Sequence, residues 1–203
     1  MNKLLKVVVP LLVVGLVGYA MQGAFFGAPV DPKEFKRVWD SRFVYLHPKS
    51  FVKPSSVEVK EAYNEAVQHQ LFGSQAGKVR DWISKNIEYV PDYEAYDWYD
   101  CLARNGDLHE YWQYPEETLA RRTGDCEDVA ILMASMLRAG GVTADKVYVA
   151  LGSDEENNHA WVVVNDKPYE PIAKNPLQRV YGQRVLSNFD TYYLFNDENF
   201  YKL

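Results

Sequence analysis

Between Cys126 and Ala139, Val129, Leu132, Met133, Met136 and Leu137 recur at the i, i+3, i+4, i+7, i+8 spacing of a single helix face. This spacing predicts a helix that starts at Asp125 or Cys126 and ends at Gly140-Gly141, the usual residues for a helix C-terminus. An apolar stripe of this length must be covered by another layer. The sequence that follows offers short runs rich in Val and Tyr. Lys146 to Leu151 reads as a strand, Gly152 to Asn158 as a polar loop, and His159 to Asn165 as a second strand. Asp166-Lys167 is expected to form a tight turn into a third strand at Tyr169-Glu170, and Tyr192 to Phe195 to form one more. Helices first and an antiparallel sheet afterwards argue for an α+β fold.

Upstream, helices are expected over about 57–70 and 75–86. In the second of these, Val79, Trp82, Ile83 and Asn86 share a stripe, and Ile87 and Tyr89 lead into a strand. A short helix is expected at 33–40 and a loop at His47 to Ser56. Residues 91–113 lack periodicity but are rich in Asp, Tyr and Trp, so they read as an ordered loop lying over the core. The chain divides into an N-terminal apolar segment (1–28), a linker and helical extension (29–73) and a main domain (74–203).

Lys3 and Lys6 precede an uncharged run from Val7 to Ala28, long enough for the roughly 20 residues that a membrane span needs. One reading is an uncleaved signal anchor that spans the membrane through residues 7–28, with its basic end in the cytoplasm. The other is a cleaved signal peptide, with Gly18 and Ala20 before the cut. Either exports the rest of the chain. Removing Lys3 and Lys6, the only charges in the first 28 residues, from the formal charge of −6 leaves −8 on the body. An acidic body without Lys/Arg clusters does not read as a nucleic-acid binder.

Cysteine attacks as a thiolate, which a helix N-terminus stabilises. Cys126 sits at such a start, after Thr123-Gly124, and is expected to be more acidic and more reactive than Cys101. A thiol nucleophile needs a base, and His159 opens a strand after a polar loop. A third group must orient the imidazole. Glu170 lies one tight turn away on the paired strand, whereas Asp166 lies at the turn itself, at the far end of the hairpin. The competing reading is a Cys101–Cys126 disulfide in an exported structural domain. His47, His69 and His109 show no partner spacing and no CxxC or HExxH occurs, so a zinc site is unsupported.

Gly124-Asp125-Cys126-Glu127-Asp128, with its apolar helix and Gly140-Gly141-Val142, resembles the nucleophile segment of the transglutaminase-like superfamily. His159-Ala160-Trp161-Val162-Val163-Val164 is similar to that superfamily's histidine strand, and Tyr169-Glu170-Pro171 to its acidic segment, where Asp is usual. The stretch from Tyr111 to Leu119 is similar to the one that precedes the nucleophile in microbial members. The resemblance implies a papain-like architecture, with the nucleophile helix packed on an antiparallel sheet. It also implies acyl transfer by a Cys126, His159, Glu170 triad. Gln113 and Trp112, which carry side-chain N–H donors, are the candidates for the second oxyanion donor beside the Cys126 backbone N–H.

Asp125, Glu127 and Asp128 have two readings, helix capping or a calcium site. Carboxylates beside a thiolate would raise its pKa unless neutralised, which gives the calcium reading a physical motive; no cofactor is otherwise required. The resulting expectation is a membrane-anchored or secreted cysteine hydrolase acting on protein or peptide amides outside the cytoplasm. The alternatives are an amine-accepting transglutaminase and a catalytically silent binding module.

Overall fold

The computed structural model describes residues 43, 47–68, 72–105, 110–153, 158–172 and 189–203. The apolar run 7–28 and the helix expected at 33–40 lie outside them. Among the described residues no helix is long and apolar enough to cross a membrane.

After a 3-10 turn at Pro48–Ser50 come helices α1 (Val57–Gln68) and α2 (Gln75–Asn86) and the short strand β1 (Glu88–Tyr89). Ser74 caps α2 by accepting the Gly77 N–H. Residues 91–113, expected as loop, contain two short helices, α3 (Asp92–Ala95) and α4 (Trp98–Asn105). Neither is long enough to show a clear period, so a pattern search passes over them. Helix α5 (Pro115–Arg121) follows, with Pro at its first position and the Glu117 carboxylate accepting the Tyr114 N–H.

Strand β2 (Thr123–Gly124) pairs in parallel with β1 and delivers the chain to α6 (Cys126–Ala139). The sheet comprises β3 (Val147–Ser153), β4 (Asn158–Val164), β5 (Lys167–Tyr169), β6 (Asp190–Phe195) and β7 (Phe200–Lys202). Its order is β5-β4-β3-β6-β7, antiparallel throughout. The β4–β5 turn is centred on Asn165 and Asp166, one residue earlier than expected, with φ of 49° and 61°. Asn and Asp tolerate this left-handed conformation, which two-residue hairpins require. Strand β7 had no sequence signal of its own.

All five residues of the α6 stripe are buried, but so is every position from Glu127 to Leu137. The sheet covers one side of α6 through β3 and β4, and α1, α2 and α5 cover the other. Ala160, Val162 and Val164 of β4 face this core with Val147, Val149 and Leu151 of β3. Trp112 is fully enclosed there, stacked on Phe195 at 5.6 Å and edge-on to Phe51 at 5.3 Å.

Asn196, fully buried, closes the β6–β7 hairpin. Its amide donates to the carbonyls of Ala144 (2.6 Å) and Val147 (3.0 Å), and its Oδ1 accepts from Glu198 N (2.9 Å) and Asn199 N (2.7 Å). Asn196→Ala would strand four backbone groups, each costing about 1–3 kcal/mol if left dry, partly offset by entering water. The expected loss of unfolding free energy in urea titration is about 2–4 kcal/mol, well beyond that of an exposed Asn→Ala change.

Candidate active site

Gly124 enters α6 through a tight approach. A Cβ there would lie 2.8 Å from Asp128 Cβ, so only glycine lets the chain turn directly over the first helical turn. Asp128, fully buried, uses both carboxylate oxygens: Oδ1 accepts from Gln113 N at 2.7 Å and Oδ2 from Asp125 N at 3.3 Å. One side chain thus caps the helix and ties the preceding loop to it. The capping reading holds for Asp128.

Cys126 is the first residue of α6 and half-buried. Its thiol donates to Glu127 Oε2 at 3.2 Å, and the Ala160 N–H of β4 hydrogen-bonds the sulfur. Strand β5 pairs only with Val162 to Val164, so the start of β4 is free of that strand and Cys126 meets it there. His159, the residue before Ala160, is buried. Its Nε2 lies 2.6 Å from Glu170 Oε2. Glu170 Oε1 also accepts the Ile172 N–H at 3.1 Å, which fixes the carboxylate's orientation. The structure therefore brings Glu170 to His159, and leaves Asp166 in the turn at the other end of the hairpin.

The expected acidic thiol is not what the structure gives. Burial first, then the charges of Glu127 and Asp125, push the Cys126 thiol well above the usual range, and the Ala160 N–H only partly opposes them. The helix terminus is a modest local effect, and burial beside carboxylates outweighs it. Cys101 and Cys126 are both free thiols, which removes the disulfide reading, and Cys101 is buried.

Sequence reasoning missed Asp92. It begins α3, where an acidic residue reads as ordinary capping, yet its side chain is buried and accepts the Tyr111 N–H. Ligand atoms of Asp92, Asp125 and Asp128 lie within 4.8 Å of one another; so do those of Asp92, Glu110 and Glu127, and those of Asp125, Cys126 and Glu127. Asp92 Oδ1, Asp125 Oδ1 and Glu127 Oε1 are buried without a hydrogen-bond partner among the described residues. Burial is the main force raising Asp92, Asp125 and Asp128 far above the carboxylate range, and the negative charge of Glu127 adds to it in each. Orphaned buried carboxylate oxygens that raise one another's pKa fit a hard, oxygen-seeking cation such as calcium.

Tyr89, paired with Gly124 across the β1–β2 bridge, also senses this charge. Burial and then Cys126, Asp125, Glu127 and Glu170 hold its phenol strongly protonated. Gln113 is buried beside Asp128, and its Oε1 has no partner among the described residues. Trp112, the other oxyanion candidate, is a core residue: its fully enclosed ring leaves no face for a substrate.

No curated protein sequence matches this chain significantly. Among solved structures, LapG of Legionella pneumophila shares 16% identity, with 87% of this chain and 90% of that one covered at a TM-score of 0.42. Its calcium-bound form shares 17%, over 85% and 88%, at 0.40. A Cytophaga hutchinsonii structure described as a candidate cysteine protease shares 17%, over 74% of this chain and 45% of that one, at 0.44. Residues 59–173, more than half of the sequence and the span that holds Cys126, His159 and Glu170, match the profile of one family, and on that match the chain belongs to the transglutaminase-like superfamily.

Proposed function

We propose that the protein is an exported, membrane-anchored cysteine hydrolase that cleaves peptide or protein amides through a Cys126 thioester. The observation that carries this reading is the buried 2.6 Å His159–Glu170 contact, on the strand whose next N–H meets the Cys126 sulfur. With Nε2 engaged by Glu170, Nδ1 is the nitrogen that serves the nucleophile. The thiol is held protonated, so its proton passes to His159 as sulfur attacks the carbonyl carbon, not beforehand. The C–S bond forms, and the carbonyl electrons move onto oxygen, opposite the Cys126 backbone N–H and the Gln113 amide. His159 then gives its proton to the departing amine as the C–N bond breaks. Water, deprotonated by the same imidazole, releases the acid and restores the thiol. An amine in place of water would give transamidation.

Asp92, Asp125, Glu127 and Asp128 would hold a calcium ion, which would neutralise the charge that opposes the thiolate. The raised thiol is also the observation that favours the second reading, a silent binding module.

A thiol-reactive peptide probe separates the two. Labelling and turnover should vanish in Cys126→Ala. Glu170→Gln should cut turnover by about ten- to a thousandfold, since a thiol depends less on its third partner than a serine does. Asp166→Asn should leave turnover unchanged. A wild type that neither labels nor turns over any amide would leave the silent module standing.

Export rests on Lys3, Lys6 and the uncharged run that follows. A reporter active only in the cytoplasm, fused after Leu203, should stay dark; a bright one would overturn this part of the proposal.

The acidic cluster predicts an unusual pH response. A carboxyl whose folded pKa is raised contributes stability that is full below its unfolded value of about 4 and is lost as pH rises toward the folded value. In chelator, Tm should therefore fall between pH 5 and pH 8, and added calcium should restore more at pH 8 than at pH 5. Also in chelator, Glu127→Gln should speed alkylation of Cys126 at neutral pH by removing a charge that raises its pKa. A flat Tm profile and an unchanged alkylation rate would count against the charged cluster.

A further inference from the structure

Strand β4 alternates. Ala160, Val162 and Val164 face α6, which leaves Trp161 and Val163 on the opposite side of the sheet, with His159 at the strand's end between the two. On that side is a second apolar cluster made of Ala150, Trp161 and Phe189, with Val163 and Leu194 packed against it. Its centre is next to the imidazole. The Trp161 ring lies 6.3 Å from that of His159 at an interplanar angle of 22°, Phe189 approaches His159 at 5.9 Å, and the two aromatics meet edge to face at 5.7 Å. The His159 side chain is 1% exposed and that of Glu170 is 12% exposed.

The neighbouring strand is shaped for this enclosure. Gly152 is the register partner of His159. A Cβ at Gly152 would sit 2.7 Å from the Trp161 ring and 2.1 Å from the Asp190 carbonyl oxygen. The β3–β6 register shifts at the same place, between Leu151 and Gly152. Glycine and bulge together let Phe189-Asp190 and the indole close in at one point on the sheet, beside the imidazole.

We infer that Trp161, backed by Phe189, is a positioning residue for His159: it keeps water off the His159–Glu170 hydrogen bond and holds the imidazole in the plane that bond requires. The inference rests on the reading of His159 as general base. A hydrogen bond between a carboxylate and an imidazole is strong where water is excluded, and weakens when water can solvate the carboxylate. Trp161 touches neither the thiol nor a substrate in this role. Its loss lowers turnover through the base and leaves binding alone.

The test uses the full chain and two readouts. The first is proton NMR of the resting protein, following the low-field imidazole N–H signal that disappears in His159→Gln. Trp161→Ala should speed its exchange with water at least tenfold, and Trp161→Phe should recover most of the protection. The second is the kinetic split. Trp161→Ala should lower kcat by about ten- to a hundredfold, the span of a partly impaired general base, with KM within about twofold. Val163→Ala trims the same cluster without touching His159, and should lower Tm while leaving both readouts unchanged. If Trp161→Ala does not fold, Phe189→Leu carries the test and must also speed exchange. Unchanged exchange in Trp161→Ala, or equal losses in Val163→Ala, would overturn the inference and leave Trp161 as packing only. The NMR arm needs no turnover, so a protein with no hydrolase activity would sink the proposed function without deciding this question.

Discussion

A helix buried on every side has almost no freedom to slide or rotate, and α6 is such a helix from Glu127 to Leu137. The sheet holds one side and α1, α2 and α5 the other. In a close-packed interior a shift of even a methylene's width is resisted, so the position of Cys126 is set by about three turns of packing behind it. The first turn is pinned separately by Asp128, whose two oxygens bind the approach loop and the helix start. The Cys126 sulfur is thus presented to β4 by a rigid piston, while the His159 imidazole is presented by a sheet. Those are two stiff elements, and the site lies where they meet.

The same burial has an electrostatic consequence. Packing that fixes Cys126 also strips water from Asp92, Glu127 and Asp128 and from Oδ1 of half-buried Asp125. Charges without water must find counter-charge or take up protons. The chain gathers these carboxylates at one end of the helix, where no ion pair reaches them from among the described residues, although Arg138 at the other end is engaged with Asp197 and Glu198. Precision of placement and ease of ionisation therefore pull against each other in this site.

What could be read in the sequence was what local rules decide. The α6 stripe, its glycine stop and the hairpin after His159 are local patterns, so the elements and the approach of Glu170 to His159 followed from spacing. The turn was misplaced by one residue because Asn165 and Asp166 both accept a left-handed backbone, and strand spacing alone does not separate the options. Three features were hidden because distant segments make them. Trp112 is a core residue because Phe51 and Phe195 surround it, Asp92 joins the carboxylates because α3 folds back onto α6, and the thiol is raised because burial and neighbours outweigh the helix end. The helix-start rule describes an exposed terminus, and this one is enclosed.

The hydrogen bond from Tyr111 to Asp92, with Tyr96 stacked on Tyr111 at 3.8 Å, draws together the two ends of the stretch that carries α3 and α4. Between these ends α4 is tied down again, by buried Cys101 and by Arg104, whose guanidinium donates to Glu117 of α5 at 2.6 Å. Lengthening a loop whose ends are already fixed adds little entropy cost, because that cost grows only with the logarithm of length. Residues added between the tied points therefore need not move the helix that bears Cys126. This stretch is where the molecule can grow, an outwork that lengthens while the helix beneath it stays put.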